Sequence, residues 1–350
     1  MNGATHARAG RKRTFTTRSG AALPFTELGF GAAPLGNLYR PLTEKEARAT
    51  LDAAWTCGCR YYDTAPLYGY GLSETRLNGF LRAKPRDSYL VSTKVGRLLE
   101  VSPPEPRARQ NRFFETPSRR AVFDYSYDGV MRSLEFSLER LGLDRVDLVY
   151  AHGLDVFVQG GEERSHARAR ELLDGGLKAL TKLRDGGAVR AFGVGVHEWR
   201  LAEKLARGGD FDVVLLAGRY TLLEQEALES FLPYCVDNKI GVVVGGPFNS
   251  GVLATGPKRG AFYNYAPASE AVLDRVRRIE ALCKAHEVKL AQAALRFPLS
   301  HPAVVGVIAG VEKASEVRRN AALLDAEIPP ALWRALKAEG LLRADAPTPR

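Results

Sequence analysis

The sequence has few cysteines and no long apolar run, and each shortage excludes a class of protein. No stretch of the 350 residues approaches the ~20 consecutive apolar residues that a membrane-spanning helix needs. The start, Met1 to Arg13, is rich in arginine and lacks the apolar segment of a secretion signal. We therefore expect a cytoplasmic protein that makes no contact with a membrane.

The four cysteines show neither paired CxxC spacing nor histidine partners at the intervals typical of zinc sites. They are Cys57, Cys59, Cys235 and Cys283. We expect buried free thiols and no metal site. The close pair Cys57 and Cys59 leaves a metal-binding or redox role as an alternative, although the pair falls where a helix is predicted to end and a strand to begin.

Basic residues outnumber acidic ones by 50 to 40, which gives a formal net charge of +10. Part of this excess lies in the N-terminal tail and part between Arg97 and Arg120, without the interleaved aromatic residues of a single-strand binder. We interpret it as solvated surface and expect no nucleic-acid partner. The predicted organisation is a disordered basic tail over 1–12, one barrel domain over 13–342 and a C-terminal tail over 343–350.

The pattern of apolar residues predicts a barrel. The segment from Thr14 to Phe25 has β-prone residues on both sides of the turn Arg18-Ser19-Gly20, which predicts a hairpin that can plug the bottom of the barrel. From Glu27 onward, short apolar runs alternate with amphipathic stretches, as in parallel β/α units. The strand candidates are Leu28–Gly31, Arg60–Asp63, Tyr89–Lys94, Val146–His152, Ala191–Val196, Val213–Leu216, Gly241–Gly245 and Val304–Ala309.

Eight amphipathic helical patterns lie between and after these strands, with Thr43 and Ser73 as candidate N-caps of the first two and Glu224–Asn238 as a later one. The predicted fold class is therefore α/β, a (β/α)8 TIM barrel with an N-terminal β-hairpin and long loops at its C-terminal face. A doubly wound open sheet is the alternative, but no GxGxxG stands between the first strand and its helix.

Two segments exceed ordinary loop length, Gly96–Phe123 and Gly153–Ala167, and both follow the carboxyl ends of strands. Barrel enzymes place their chemistry at that face, so both loops are candidates for substrate contacts. The first is rich in arginine and proline. We predict that it lies beside the substrate pocket, is mobile without ligand and becomes ordered when ligands bind; a permanently solvated insertion is the alternative.

Four side chains able to exchange protons fall at the ends of three consecutive strands: Asp63, Tyr68, Lys94 and His152. A tyrosine with a pKa of ~10 is a poor acid/base, but an adjacent ammonium favours its phenolate and an aspartate can hold that lysine. Singly, each residue has an ordinary structural explanation: a turn cap, a rim aromatic, a solvated strand end and a core histidine. Their joint placement favours a catalytic acid/base set.

Three segments resemble the signature of the aldo-keto reductase family: YYDTAPLYGYGLSE (61–74), VSTKVGR (91–97) and LVYAHGLD (148–155). The family's Asp, Tyr, Lys and His tetrad matches Asp63, Tyr68, Lys94 and His152, and the resemblance extends from about Leu28 to Leu342. Within the family, the chain resembles the D-threo-aldose 1-dehydrogenase and L-fucose dehydrogenase subgroup in segments 124–152, 217–225, 245–256 and 341–349. Pyridoxal 4-dehydrogenase and plant L-galactose dehydrogenase also resemble that subgroup.

This resemblance implies an NAD(P)-dependent oxidoreductase that acts on CH–OH groups and oxidises an aldose at C1 to the aldonolactone, with Tyr68 as acid/base. Pyridoxal 4-dehydrogenase or a broad aldehyde reductase are enzymatic alternatives, and a nicotinamide-sensing barrel subunit is a non-enzymatic one. The expected partner is a small-molecule sugar or aldehyde, and a monomer and a homodimer both remain open.

The cofactor is expected to lie along the carboxyl ends of the first and last strands. A glycine-rich turn after the seventh strand lets its backbone approach a pyrophosphate, and the segment from Gly310 to Asn320 suits phosphate or adenosine ribose. The predicted contacts are Gly31, Ala32, His197, Gly246, Pro247, Phe248, Asn249, Ser250, Gly251, Gly310, Glu316 and Asn320.

Compared with the family, this chain departs at several cofactor positions. Gly195-Val196 and Ala217 replace the usual carboxamide contacts, and Gly245 replaces the aromatic that stacks on the nicotinamide, so backbone groups and His197 are expected to substitute. Where NADP-preferring relatives carry a lysine and an arginine, this chain has Gly310 and Glu316. A carboxylate repels a 2′-phosphate and accepts hydrogen bonds from ribose hydroxyls, so NAD is the predicted cofactor, with NADP as the alternative.

Overall fold

The computed structural model describes residues 8–103 and 112–349. Its strands are β1 (Lys12–Thr16), β2 (Ala22–Thr26), β3 (Leu28–Gly31), β4 (Tyr61–Asp63), β5 (Leu90–Val95), β6 (Arg97–Val101), β7 (Arg119–Phe123), β8 (Leu148–His152), β9 (Ala191–Val196), β10 (Val213–Ala217), β11 (Gly241–Gly245), β12 (Phe262–Tyr263), β13 (Ala266–Pro267) and β14 (Val304–Gly310). Its helices are α1 (Glu44–Thr56), α2 (Leu72–Leu81), α3 (Tyr127–Leu141), α4 (Val156–Gln159), α5 (Glu162–Glu171), α6 (Leu177–Asp185), α7 (Trp199–Gly208), α8 (Phe231–Asp237), α9 (Val252–Thr255), α10 (Glu270–Ala285), α11 (Leu290–Arg296), α12 (Ala314–Asp325) and α13 (Pro330–Ala338).

Eight parallel strands close into a barrel in the order β3, β4, β5, β8, β9, β10, β11 and β14, and β14 pairs with β3. Helices surround it, so the strands are buried on both faces. This architecture confirms the predicted (β/α)8 barrel and excludes the open sheet. Within the two described ranges, no helix is long and apolar enough to cross a membrane.

The strands β1 and β2 form the predicted antiparallel hairpin, which covers the amino-terminal end of the barrel. Leu23 and Phe25 are fully buried, and the Phe25 ring meets Tyr61 inside the barrel edge-on at 5.0 Å. Arg13 donates to the carbonyl of Leu299 at 2.7 Å and anchors the hairpin to the chain that precedes β14. One end of the barrel is therefore closed by apolar side chains.

The expectation of a disordered tail over 1–12 differs from the structure at its C-terminal part. Lys12 begins β1, Ala9 is fully buried, and the amide of Arg8 donates to Asp325 at 2.7 Å. Residues 1–7 lie outside the described residues. The arginine-rich composition of the tail gave no sign that Ala9 is buried.

Both long loops contain regular structure that the sequence analysis did not predict. In Gly96–Phe123, the strands β6 and β7 pair antiparallel, and Phe113 is buried and bridges to Leu38. The segment 104–111 lies outside the described residues, so the predicted mobility of this loop stays a prediction. The second loop, Gly153–Ala167, contains α4 and the start of α5.

Helix starts show where the capping rules held and where they failed. Thr43 caps α1 as predicted, accepting a hydrogen bond from the Glu46 amide at 3.2 Å. Ser73 is not a cap: α2 begins at Leu72 after Gly71, whose φ of 97° only glycine adopts easily. The predicted helix Glu224–Asn238 is reduced to α8, because Ser230 has a non-helical backbone.

The buried apolar residues form one cluster inside the barrel and a larger one between the barrel and its helices. Neighbouring strands approach closely at Gly193 of β9, where an added Cβ would lie 1.5 Å from the carbonyl oxygen of Val213. All four cysteines are buried free thiols, as predicted. Over residues 8–103 and 112–349, no group of three or more potential metal ligands comes together.

Candidate active site

A cavity of about 410 Å³ opens where the barrel strands end, within the range of small-molecule sites. Its walls come from the residues that follow β3, β4, β10, β11 and β14. Because all these strands are parallel, their carboxyl ends meet at one face, and side chains far apart in sequence become neighbours. Asp63 and Tyr68 line this cavity.

Lys94 and Asp63 form a buried ion pair beneath the cavity. The Lys94 ammonium lies 2.7 Å from Asp63 Oδ2 and donates to the Thr64 carbonyl at 2.7 Å, while Ser92 Oγ donates to Asp63 Oδ1 at 2.7 Å. Both charged residues are almost completely buried. Burial alone would lower the pKa of Lys94, but its interactions with Asp63 and Tyr68 together outweigh burial and hold that pKa above its usual value. The lysine therefore stays an ammonium.

Tyr68 stands between this ammonium and the cavity. Lys94 Nζ lies 4.7 Å from the centroid of the Tyr68 ring, and the ring of His152 meets Tyr68 edge-on at 6.1 Å. Burial raises the pKa of Tyr68, and the charge of Lys94 opposes that rise. The lysine thus acts in the predicted direction, although burial dominates and the net pKa lies above the ordinary tyrosine value.

His152 is held neutral. Burial, reinforced by the positive charges of Arg97 and Lys94, lowers the pKa of His152 well below its usual value. The Nδ1 atom of His152 is buried without a hydrogen-bond partner among the described residues. A neutral imidazole with a free ring nitrogen can donate a hydrogen bond to a substrate oxygen or accept one from it. Because it is uncharged, it does not repel the Lys94 ammonium.

The predicted cofactor contacts line the cavity, with one exception. Its lining includes Gly31, His197, Gly246, Pro247, Phe248, Asn249, Ser250, Gly251, Gly310, Glu316 and Asn320. Ala32 lies behind the wall, fully buried, and its carbonyl accepts a hydrogen bond from Ser73 Oγ at 2.7 Å. The neighbours Ala33 and Pro34 take its place at the surface of the cavity.

Two observations indicate that this wall fits a dinucleotide. In the turn after β11, Asn249, Ser250 and Gly251 all have positive φ, and the amides of Asn249 and Gly251 donate to carbonyls of the same turn at 3.0 Å. The resulting compact turn lines the cavity, where its glycines let the backbone approach a pyrophosphate closely. At the other end, Asn320 is 2% exposed and its Oδ1 has no partner among the described residues. An unpaired buried acceptor costs stability unless a ligand donates to it.

Glu316 has a structural role that the sequence analysis missed. Its Oε2 accepts hydrogen bonds from the amides of Glu312, at 2.8 Å, and Lys313, at 3.2 Å, which caps the start of α12. A second carboxylate, Glu312, lines the same part of the cavity and pairs with Arg40 at 2.9 Å. Two acidic side chains, rather than one, therefore surround the expected adenosine ribose.

His197 is fixed beside the cavity by Asp155, which is buried at the start of α4. Asp155 Oδ1 accepts hydrogen bonds from the amides of His197, at 2.7 Å, and Glu198, at 2.9 Å. The carboxylate of Glu198 in turn accepts from the amide of Val156 at 2.9 Å. These reciprocal bonds join the loops after β8 and β9, so the position of His197 is set by both.

Several lining residues were not found from the sequence, because they come from irregular segments without a recognisable pattern. They are Leu38, Tyr39, Arg219, Asn264 and Tyr265. The Tyr265 hydroxyl lies 3.4 Å from His197 Nε2, and Arg112 donates to the Tyr265 carbonyl. The hairpin of β12 and β13 and the segment after 111 thus meet across the mouth of the cavity.

Comparison with known proteins identifies the class. Residues 27–339 match the Aldo/keto reductase family. The chain belongs to the aldo-keto reductase family, and it is an oxidoreductase that uses a nicotinamide cofactor.

Two relatives are similar over nearly their whole length. The chain is 42% identical to a D-threo-aldose 1-dehydrogenase of a Pseudomonas species, covering 94% of this chain and 97% of that protein. It is 40% identical to a pyridoxal 4-dehydrogenase of Microbacterium luteolum, covering 96% and 99%. An aldo-keto reductase of Bacillus halodurans, in its holo form, has the same fold, with a TM-score of 0.73 at 24% identity over 96% of this chain and 97% of that one.

Proposed function

We propose that this protein oxidises an aldose of the L-fucose or D-threo-aldose type at C1 to the aldonolactone, with Tyr68 as the catalytic base and NAD as the preferred cofactor. The observation that carries the proposal is the placement of Tyr68. It lies at the wall of the cavity, its ring is 4.7 Å from a buried ammonium, and the predicted dinucleotide contacts line the same cavity. The similarity to a D-threo-aldose 1-dehydrogenase supports the choice of substrate.

A bound oxidised nicotinamide supplies the acceptor for the hydride that leaves C1. Tyr68 accepts the proton of the C1 hydroxyl, so that the C1–O bond becomes the lactone carbonyl. Lys94 stabilises the phenolate that must receive this proton, and Asp63 keeps Lys94 charged and in place. His152, neutral and with Nδ1 unpartnered, orients the C1 oxygen by a hydrogen bond.

The raised pKa of Tyr68 gives the reaction a direction of pH dependence. Oxidation needs the phenolate, whose population grows as the pH approaches the raised pKa from below. Reduction of a carbonyl needs the protonated tyrosine, which predominates at neutral pH. Sugar oxidation should therefore accelerate between pH 7 and 10, whereas the reverse reaction should not.

The walls around Tyr68 suit a ring with flat apolar faces. The Phe113 ring lies 6.2 Å from the Tyr68 ring, and Leu38, Tyr39 and Tyr265 line the cavity nearby. Aromatic walls can cover the C–H face of a pyranose, but they can equally cover a pyridine ring. Together with the similarity to a pyridoxal 4-dehydrogenase, these walls make pyridoxal the second candidate substrate.

The preference for NAD rests on Glu312 and Glu316, which both line the cavity. A 2′-phosphate placed between two carboxylates is repelled, whereas the two hydroxyls of a free ribose can donate to them. Arg40 neutralises part of the charge of Glu312, and Arg319 lines the same region, so NADP is expected to bind more weakly rather than not at all.

The test is steady-state kinetics on the wild type and Tyr68→Phe. L-fucose, D-arabinose, L-galactose and pyridoxal are offered with NAD⁺ or NADP⁺, and simple aldehydes are offered with NADH. We expect the highest kcat/KM with a sugar and NAD⁺, and a loss of about 10²–10⁴ in kcat in Tyr68→Phe with unchanged NADH affinity. Tyr127→Phe, which alters a half-buried tyrosine of α3 that does not line the cavity, is the matched control.

Retention of more than about a tenth of kcat by Tyr68→Phe would exclude Tyr68 as the acid/base. A higher kcat/KM with pyridoxal than with every sugar would replace the proposed substrate by the second candidate. A cytoplasmic location and a monomeric or homodimeric state remain predictions, for which fractionation and analytical ultracentrifugation are the tests.

A further inference from the structure

Arg219 is a cation without a carboxylate partner in the wall of the cofactor cavity. It follows β10 by two residues, lines the cavity and forms no ion pair within residues 8–103 and 112–349. Its Nη1 atom donates to Asn264 Oδ1 at 2.8 Å and to the Gly218 carbonyl at 3.2 Å, both of which are neutral acceptors. These bonds fix the direction of the guanidinium without neutralising its charge.

The backbone that carries Arg219 is tied to the glycine-rich turn after β11. The amide of Gly218 donates to the Gly245 carbonyl at 2.8 Å, and Asn249 Nδ2 donates to the Gly218 carbonyl at 3.0 Å. Asn249 is 3% exposed, and Thr221 Oγ1 donates to its Oδ1 at 2.6 Å. Arg219 and the turn are therefore one connected unit.

The hairpin of β12 and β13 approaches from the opposite side. The amide of Tyr265 donates to Ser250 Oγ at 3.0 Å, which joins the hairpin to the same turn. Asn264, the neighbouring hairpin residue, is the one that accepts from Arg219. A guanidinium is thus positioned between the turn and the hairpin that crosses it.

From this arrangement we infer that Arg219 binds the pyrophosphate of the dinucleotide. A diphosphate diester carries two negative charges, and a planar guanidinium forms paired, charge-assisted hydrogen bonds to phosphate oxygens. The turn after β11 lines the same cavity and contains no charged side chain, so Arg219 supplies the cation that the turn lacks. This inference rests on the proposed use of a dinucleotide cofactor.

The other charged groups of the cavity leave this role to Arg219. Glu224 is half-buried and attracts Arg219 electrostatically, but it forms no direct ion pair with Arg219 in the described part of the chain. Arg319 lies toward the other end, among Glu316 and Asn320. An arginine at that end is expected to contact the adenosine. Substitutions of Arg219 and Arg319 should therefore change the binding of ADP and adenosine differently.

Isothermal titration calorimetry with ADP, adenosine and NADH tests the assignment. In Arg219→Met, we expect the Kd for ADP and NADH to rise roughly ten- to hundredfold, as for the loss of a charged hydrogen bond, and the Kd for adenosine to stay within twofold of wild type. Arg219→Lys keeps the positive charge but lacks the planar guanidinium, so its Kd for ADP should lie between those of the wild type and Arg219→Met. Arg277→Met, at an exposed position of α10, is the control, and Arg319→Met should not discriminate between ADP and adenosine.

The assignment is overturned if ADP binds Arg219→Met as it binds the wild type, or if ADP and adenosine weaken by the same factor. A weaker dependence of the ADP Kd on salt in Arg219→Met than in wild type would support it. Failure of wild-type protein to bind either NADH or ADP would reject the proposed cofactor and Arg219 together, which separates that failure from the loss of Arg219 alone.

Discussion

Replacement of Lys94 by methionine separates the structural from the chemical role of the ion pair beneath Tyr68. In wild type, the Lys94 ammonium lies 2.7 Å from Asp63 Oδ2, and Asp63 is only 3% exposed. Lys94→Met leaves a buried carboxylate with Ser92 as its remaining side-chain donor. Breaking a buried pair by removing one partner typically costs about 3–5 kcal/mol.

For a chain of 350 residues, this cost corresponds to a fall in Tm of about 4–7 °C, from an unfolding entropy near 2.1 cal/mol/K per residue. The double variant Asp63→Asn/Lys94→Met removes both charges. It should recover much of the Tm while remaining inactive, because the phenolate of Tyr68 still lacks its cation. Differential scanning calorimetry and steady-state kinetics on the three variants provide the comparison.

Two results would refute this reasoning. If Lys94→Met has the Tm of wild type, the buried carboxylate is not destabilised by losing its partner. If the double variant regains activity together with its stability, Lys94 does not act on Tyr68 and contributes to folding alone. The pair of measurements thus distinguishes an inactive enzyme from an unfolded one.

Two further predictions concern stability at low pH and the position of Tyr68. Burial lowers the pKa of His301 to about 4. In the unfolded state the same histidine binds a proton below pH ~6.5, so the free energy of unfolding should fall by about 3 kcal/mol between pH 6.5 and 4. In His301→Gln, the free energy of unfolding measured by denaturant titration should depend less on pH over that window, whereas His166→Gln should behave as wild type. The same pH dependence in wild type and His301→Gln would contradict the assignment. An added Cβ at Gly36 would lie 2.4 Å from the Tyr68 carbonyl carbon, so Gly36→Ala should displace the tyrosine and lower kcat about a hundredfold. Gly79→Ala, where an added Cβ meets no atom, should leave kcat unchanged. A fully active Gly36→Ala would show that the backbone can shift to accommodate the added Cβ without displacing Tyr68.

The barrel was predictable from local periodicity, and the convergence of the candidate catalytic side chains was predictable from their positions at strand ends. Buried parallel strands are short apolar runs, and their spacing with amphipathic helices leaves few other folds. Once the barrel is assumed, Asp63, Lys94 and His152 must converge, since they end three adjacent strands. The structure brings them together with Tyr68.

The remainder depended on tertiary contacts that local patterns do not encode. Ser73 has the residue type of a helix cap, but its hydroxyl is used to hold the carbonyl of Ala32. Tyr265 and Asn264 reach the cavity from a hairpin of two-residue strands, too short to produce any periodicity. The arginine-rich composition of the loop after β5 likewise concealed the pairing of β6 with β7.

The hairpin that closes the amino-terminal end of the barrel also determines how the protein can be handled. Gly10 lies against Gly58, just before β4, and Arg8 is bonded to Asp325 at the end of α12, so the described chain begins on the side opposite to the cavity. A tag or surface linker at this end of the described chain is therefore expected to start away from the mouth of the cavity. Enzyme immobilised by that end should present its open face to the solution, whereas attachment through the hairpin of β12 and β13 should obstruct it.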